Sequence, residues 1–196
     1  MYLEACMSLT IHSLLFDVWC LVGALYLASA PFTRPTRIGE PLSHRILPIF
    51  GACAGLILLF SANLPLGMLN TVVFAPTRHS IATGVTLCLC GWTLAVWARL
   101  QLSQNWSAWV TLREDHELVQ KGPYAVLRHP IYSGFLLAFL GMAILNGLLR
   151  SLLGFALIAL TWHYKARSEE RLMQHAFGPA YDEYRSRTGS MVPRLR

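Results

Sequence analysis

Five apolar runs, set close together, decide what this chain can fold into. Residues 11–30, 46–62, 80–98, 130–146 and 151–164 carry almost no charge. In hydrocarbon every backbone N–H and C=O must be paired inside the protein, so such runs become helices. A span takes about twenty apolar residues, and the last run is shorter than that. Only 13% of the 196 residues are charged, against about 25% in soluble domains. The expectation is one all-α integral membrane domain over residues 1–196, with about five transmembrane helices. The first run reads as a retained helix rather than a signal peptide, because no basic segment precedes it.

The breaks between runs set the topology. Pro31 and Pro35 end the first helix. Gly51 and Gly55 have the GxxxG spacing that lets helices approach closely, within one chain or between two. Residues 63–79, with Pro65, Gly67, Asn70 and Pro76, read as a loop at the interface. Asn146-Gly147 is a turn short enough to force the last two spans into a hairpin. In the tail, Gly178-Pro179 reads as a helix stop followed by a new first turn.

Charge gives the orientation. Of the 16 Lys and Arg, only Arg78 and Arg150 fall on one side of a five-span layout. The others lie in the first loop, in the 99–129 insert and in the tail. By the positive-inside rule those three segments face the cytoplasm. The basic residues flank apolar runs and form no stripe with interleaved aromatics, so nucleic acid is not a partner. They suit anionic headgroups of membrane lipids. Cys6, Cys20, Cys53, Cys88 and Cys90 form no CxxC pair and read as small buried hydrophobes. No metal site and no obligate protein partner are expected. Asp17 lies within the first run, where a carboxylate invites a functional explanation, though near its end it can also reach the interface.

The one long polar insert carries the chemistry. It brings Trp106 and Trp109, which suit headgroup depth, and then His116, Glu117, Leu118, Val119, Gly122, Tyr124, Arg128 and His129. Gly122-Pro123-Tyr124 is a tight bend where glycine lets the backbone approach a ligand. Pro130, Ile131 and Tyr132 open the fourth span, and a helix N-terminus favours an anionic group. The same residues also read as a snorkelling Arg-His pair ahead of a proline-initiated membrane helix. At the end of the fifth span stand Lys165, Arg167, Glu169 and Glu170. Lys165 and Glu169 share a helix face. The hairpin sets these charges beside His129.

The run His116-Glu117-Leu118-Val119, Gly122-Pro123-Tyr124, Arg128-His129-Pro130-Ile131-Tyr132-Ser133-Gly134 resembles the isoprenylcysteine carboxyl methyltransferase family. So do Glu169-Glu170 and Phe177-Gly178-Pro179-Ala180-Tyr181-Asp182-Glu183-Tyr184. The resemblance covers roughly residues 99–190. It implies a small helical membrane enzyme with a cytosolic S-adenosylmethionine site, built from regions 99–134 and 165–190. Cofactor-binding positions then fall on His116, Glu117, Leu118, Val119, Gly122, Tyr124, Arg128, His129, Pro130, Ile131, Tyr132 and Glu170. The family's substrate-side Glu falls on Glu169. Its Arg falls on Lys165, a departure, with Arg167 on another face. Lysine holds a carboxylate as a point charge rather than a fork. The implied reaction is methyl transfer to a lipophilic substrate, most similar to the carboxylate of an isoprenylcysteine. Alternatives are a phospholipid or amine N-methyltransferase and a membrane reductase using NADPH.

Overall fold

The computed structural model describes residues 2–28, 36–39, 42–61, 65–103, 111–113 and 118–194, with side chains at 13–26, 28, 46–61, 65–103 and 118–194. Its elements are α1 (Tyr2–Ala28), β1 (Thr36–Gly39), α2 (Leu42–Phe60), α3 (Arg78–Leu102), β2 (Thr111–Arg113), α4 (Pro130–Asn146), α5 (Leu149–Phe177) and α6 (Pro179–Arg187). The fold is helical, as composition requires. One antiparallel ribbon of β1 on β2 adds to it and has no counterpart in the expected all-α layout. Among the described residues α3 alone is long and apolar enough to cross a membrane. Ser13–Tyr26, Ile46–Phe60 and Pro130–Asn146 are shorter apolar helices beside it.

The helices pack in pairs, α3 along α4 and α2 along α5. Small residues set both contacts. A Cβ on Gly134 would stand 2.6 Å from the Ala95 nitrogen and the Gly91 oxygen, so α3 and α4 touch backbone to backbone there. Gly51 lies under Thr161 and Gly55 under Ile158 and the Gly154 carbonyl. The GxxxG pair thus packs within the chain, on α5. Helix α1 closes the bundle through Leu15, Val22 and Trp19, whose ring stacks on Phe139 at 4.4 Å.

Leu14, Phe16, Leu21 and Leu25 of α1, Leu47 and Phe50 of α2, and Leu89 and Leu100 of α3 point outward. Such a surface is costly in water and ordinary in lipid. Asp17 is exposed on α1 and is not held inside the bundle. Of the cysteines with described side chains, Cys88 is buried, while Cys20, Cys53 and Cys90 are exposed. The expectation that they are buried therefore holds only for Cys88. The other three sit on outer helix faces, where a small apolar side chain suits lipid as well as it suits a core.

Two breaks behave as their residues require. Gly147 ends α4 at φ +63°, a left-handed conformation that favours glycine, and α5 begins two residues later. The 65–74 segment, with a 3₁₀ turn at Gly67–Asn70, docks on that corner through Val73 N–H to the Gly147 carbonyl at 2.8 Å. The expected end of the fifth span at residue 164 does not interrupt the helix. α5 runs on to Phe177, because residues 165–177 are mostly good helix formers and the first glycine is Gly178. The polar residues of 165–170 therefore ride on the same rigid rod as the apolar part.

Candidate cofactor site at the open end of the hairpin

The α4–α5 hairpin is closed at Asn146-Gly147, so its open end carries His129, just before α4, and residues 165–170 of α5. The loop leading there is compact. Gly122 takes φ +59° and starts a 3₁₀ turn over Gly122–Ala125 that buries Pro123 and Tyr124. Tyr124 packs with Ala98 and Ile131, and Val119 and Tyr132 lie against the same cluster. Pro130 is fully buried in the first turn of α4.

Two adjacent carboxylates receive the donors of the loop. The Tyr132 hydroxyl donates to Glu169 Oε1 at 2.5 Å. His129 Nδ1 lies 3.4 Å from Glu169 Oε2, and its Nε2 lies 3.3 Å from Glu170 Oε1. Arg128 Nε donates to the same Glu170 oxygen at 2.9 Å. The His129 ring stacks on Tyr132 at 5.6 Å, nearly parallel. Lys165 Nζ sits 5.3 Å above the Tyr132 ring, in cation–π range.

The charges follow from this wiring. Burial alone would drive His129 neutral, but bonds to Glu169 and Glu170 outweigh it and raise its pKa above 6.5. Burial alone would likewise raise the carboxyls. The His129 hydrogen bond, Lys165 and the Tyr132 hydroxyl instead hold Glu169 below its ordinary value. Bonds from His129, Arg128 and Ser190 hold Glu170 down at about 2. His129 thus sits between two carboxylates whose hydrogen bonds favour its charged form, in an environment where each charge is felt strongly.

Of the residues singled out in the sequence, His116 and Glu117 lie outside the described residues, as do Trp106 and Trp109. Tyr124, Arg128, His129, Pro130, Ile131, Tyr132, Lys165, Glu169 and Glu170 come together, with Leu118, Val119 and Gly122 on the approach. Arg167 does not join them. Its side chain is exposed, because two residues from Lys165 and Glu169 is the wrong side of a helix. The sequence reading missed Tyr184, whose hydroxyl donates to the Tyr124 carbonyl at 2.8 Å, and Ser190, whose hydroxyl donates to Glu170 at 2.9 Å. Tyr184 lay in the quoted tail motif but had been given no role, and burial raises its pKa to about 12. Ser190 carried no signal at all.

Against known proteins, the model of the family described as phospholipid methyltransferase matches residues 79–180. Protein-S-isoprenylcysteine O-methyltransferase B of Arabidopsis thaliana is 32% identical over 115 residues, 56% of this chain and 57% of that protein. The cobalt-zinc-cadmium resistance protein CzcN of Cupriavidus metallidurans is 36% identical over 113 residues, 57% of this chain and 50% of that protein. The chain thus spans about half the length of the curated relatives it matches. A solved structure of the eukaryotic intramembrane Ras methyltransferase, isoprenylcysteine carboxyl methyltransferase, superposes with a TM-score of 0.50 at 24% identity. It covers 80% of this chain and 54% of that one. At that identity the likeness shows a shared helical fold.

Proposed function

This chain belongs to the phospholipid methyltransferase family, and from that premise we propose that it methylates the carboxylate of a membrane-dissolved lipophilic substrate, an isoprenylcysteine, with S-adenosylmethionine as donor. The observation that carries the reading is the constellation of Glu169, His129 and Tyr132, with Lys165 beside it, at the open end of the hairpin. Relatives of similar identity bear different names, so the acceptor is read from the chemistry of this cluster.

The donor set fits the proposed cofactor. Two ionised carboxylates and the face of Tyr132 suit a molecule carrying a sulfonium and an ammonium. When bound, it would supply an electrophilic methyl and leave as a neutral thioether. Glu169 and Glu170 would hold its cationic groups. Tyr132 and His129 would fix the two carboxylates in place. Lys165, four residues before Glu169, would meet the acceptor carboxylate as a point charge. Transfer joins an anionic oxygen to a cationic donor and yields two neutral products, so alignment and exclusion of water lower the barrier.

A carboxylate acceptor needs no base. An amine acceptor must lose a proton, and Glu169, held below the ordinary carboxylate range, is a poor base for that. This favours O-methylation over the amine alternative, and the comparisons do not favour the reductase reading. The five-span layout, with this end and the tail in the cytoplasm, is part of the same proposal. It lets the cofactor enter from water and the lipid tail from between helices.

The test uses tritiated methyl donor and two acceptors presented to detergent-purified protein, a farnesylcysteine and phosphatidylethanolamine. Label should enter the first and be released by base as volatile methanol, as an ester requires. Base-stable label on the amine would overturn the acceptor assignment.

A further inference from the structure

Beyond the hairpin, residues 188–191 lie along the loop that carries Arg128 and His129. The Arg128 N–H donates to the Gly189 carbonyl at 2.8 Å and the His129 N–H to the Ser190 carbonyl at 3.0 Å. In the other direction the Gly189 N–H donates to the Val126 carbonyl at 3.0 Å. This is a short parallel pairing of Leu127 with Gly189. Side chains extend it. Arg128 Nη1 donates to the Thr188 carbonyl at 2.6 Å, and the Ser133 hydroxyl donates to the Met191 carbonyl at 2.7 Å. Thr188 is 2% exposed, and its hydroxyl donates back to the Tyr184 carbonyl at 2.6 Å, tying the segment to α6.

These bonds hold the segment after α6 against the loop through main chain and side chains alike. It has one direct line to the charged cluster. Glu170 Oε1 accepts from Arg128 Nε and from the Ser190 hydroxyl, both at 2.9 Å, and faces His129 Nε2 at 3.3 Å. One carboxylate oxygen therefore gathers the loop arginine, the loop histidine and the segment's serine. The same Ser190 receives the His129 main-chain N–H on its carbonyl, so its two ends grip both sides of the His129–Glu170 contact.

We propose that residues 188–191 form a strap that is itself a wall of the cofactor site, and that Ser190 is a positioning residue acting through Glu170. The strap fixes the height of His129 over α5, and the Ser190 hydroxyl fixes the rotamer of the Glu170 carboxylate. Glu170 then presents its remaining oxygen, and His129 its ring, in one orientation. The inference rests on the cofactor reading above and gives the end of its C-terminal region a specific role.

The test compares wild type, Ser190→Ala and Ser190→Thr in detergent, by calorimetric binding of S-adenosylhomocysteine and by hydrogen–deuterium exchange. A hydrogen bond to a charged group justifies a loss of about tenfold in affinity for Ser190→Ala. Ser190→Thr keeps the hydroxyl and should return to within about twofold of wild type. Bound S-adenosylhomocysteine should slow exchange in the peptide containing 188–191 as well as in 122–129. A wild type that binds, with Ser190→Ala binding equally well and no protection of 188–191, would overturn the strap while leaving the cofactor reading intact. A wild type that does not bind would overturn both.

Discussion

Two arginines, Arg128 half-buried and Arg150 buried, stand at opposite ends of the α4–α5 hairpin, and the structure uses them differently. Arg128, at the open end, meets a carboxylate, and through Glu170 its charge is shared with His129 and Ser190. Arg150, at the closed end, is 4% exposed and donates through Nη1 to the Leu58 carbonyl at 2.7 Å, with Nε unpartnered among the described residues. Asn146 donates beside it to the Leu59 carbonyl at 2.8 Å. Both cover the C-terminal carbonyls of α2, where a cation is favoured by the helix dipole. A guanidinium beside carboxylates and an imidazole builds a charge network that a ligand can enter. The same group beside helix carbonyls builds a cap. The difference lies in the neighbours.

The comparison can be broken from either end, and the largest effect belongs to the open end. Glu169→Gln should reduce methyl transfer by at least about a hundredfold, since it removes the charge next to the reacting groups. Residual turnover near wild type in a tritium-transfer assay would demote Glu169. Next comes Arg128→Met, which strands the Glu170 charge in a buried site. Breaking one side of such a pair costs about 3–5 kcal/mol, visible as a large fall in the midpoint of thermal unfolding. Arg150→Met should cost less, about 1–2 kcal/mol, because it uncaps neutral carbonyls only. It should leave S-adenosylhomocysteine affinity unchanged.

The smallest effect, and the sharpest, is in pH. Glu170 falls from an ordinary 4.5 to about 2 in the fold. Its stabilisation is present above 4.5 and fades as pH drops toward 2. His129 is raised above 6.5, so its contribution is complete below that value and is lost as pH climbs through the raised one. The open end should be most stable between about pH 4.5 and 6.5. In Glu170→Gln the acid-side loss should shrink, whereas Arg150→Met should keep the wild-type profile. Thermal unfolding across pH reads both.

How much of this was legible in the sequence depends on the range of the interaction. Helix positions came from local pattern, and Gly147 and Gly178 stop helices where a turn-former was expected. The meeting of His129 with Glu169 was also accessible, since the turn expected at Asn146-Gly147, which the structure places at Gly147-Leu148, is too short for anything but an antiparallel hairpin. The apolar part of the fifth span stops near residue 164 while helix propensity does not, so α5 runs unbroken to the expected stop at Gly178. The strap was illegible for a different reason. Most of its bonds use a main-chain group on at least one side, and Thr188-Gly189-Ser190 looks like any polar tail. The β1–β2 ribbon, between residues 36–39 and 111–113, is long-range in the same way.

The central claim is that the open end of the hairpin binds the methyl donor and the closed end does not. Calorimetry with S-adenosylhomocysteine on three proteins tests it directly: wild type, His129→Ala and Arg150→Met. Saturable binding by wild type and Arg150→Met, weakened at least about tenfold in His129→Ala as loss of a charged partner requires, is the predicted result. Equal affinity in all three, or none in the wild type, would contradict it.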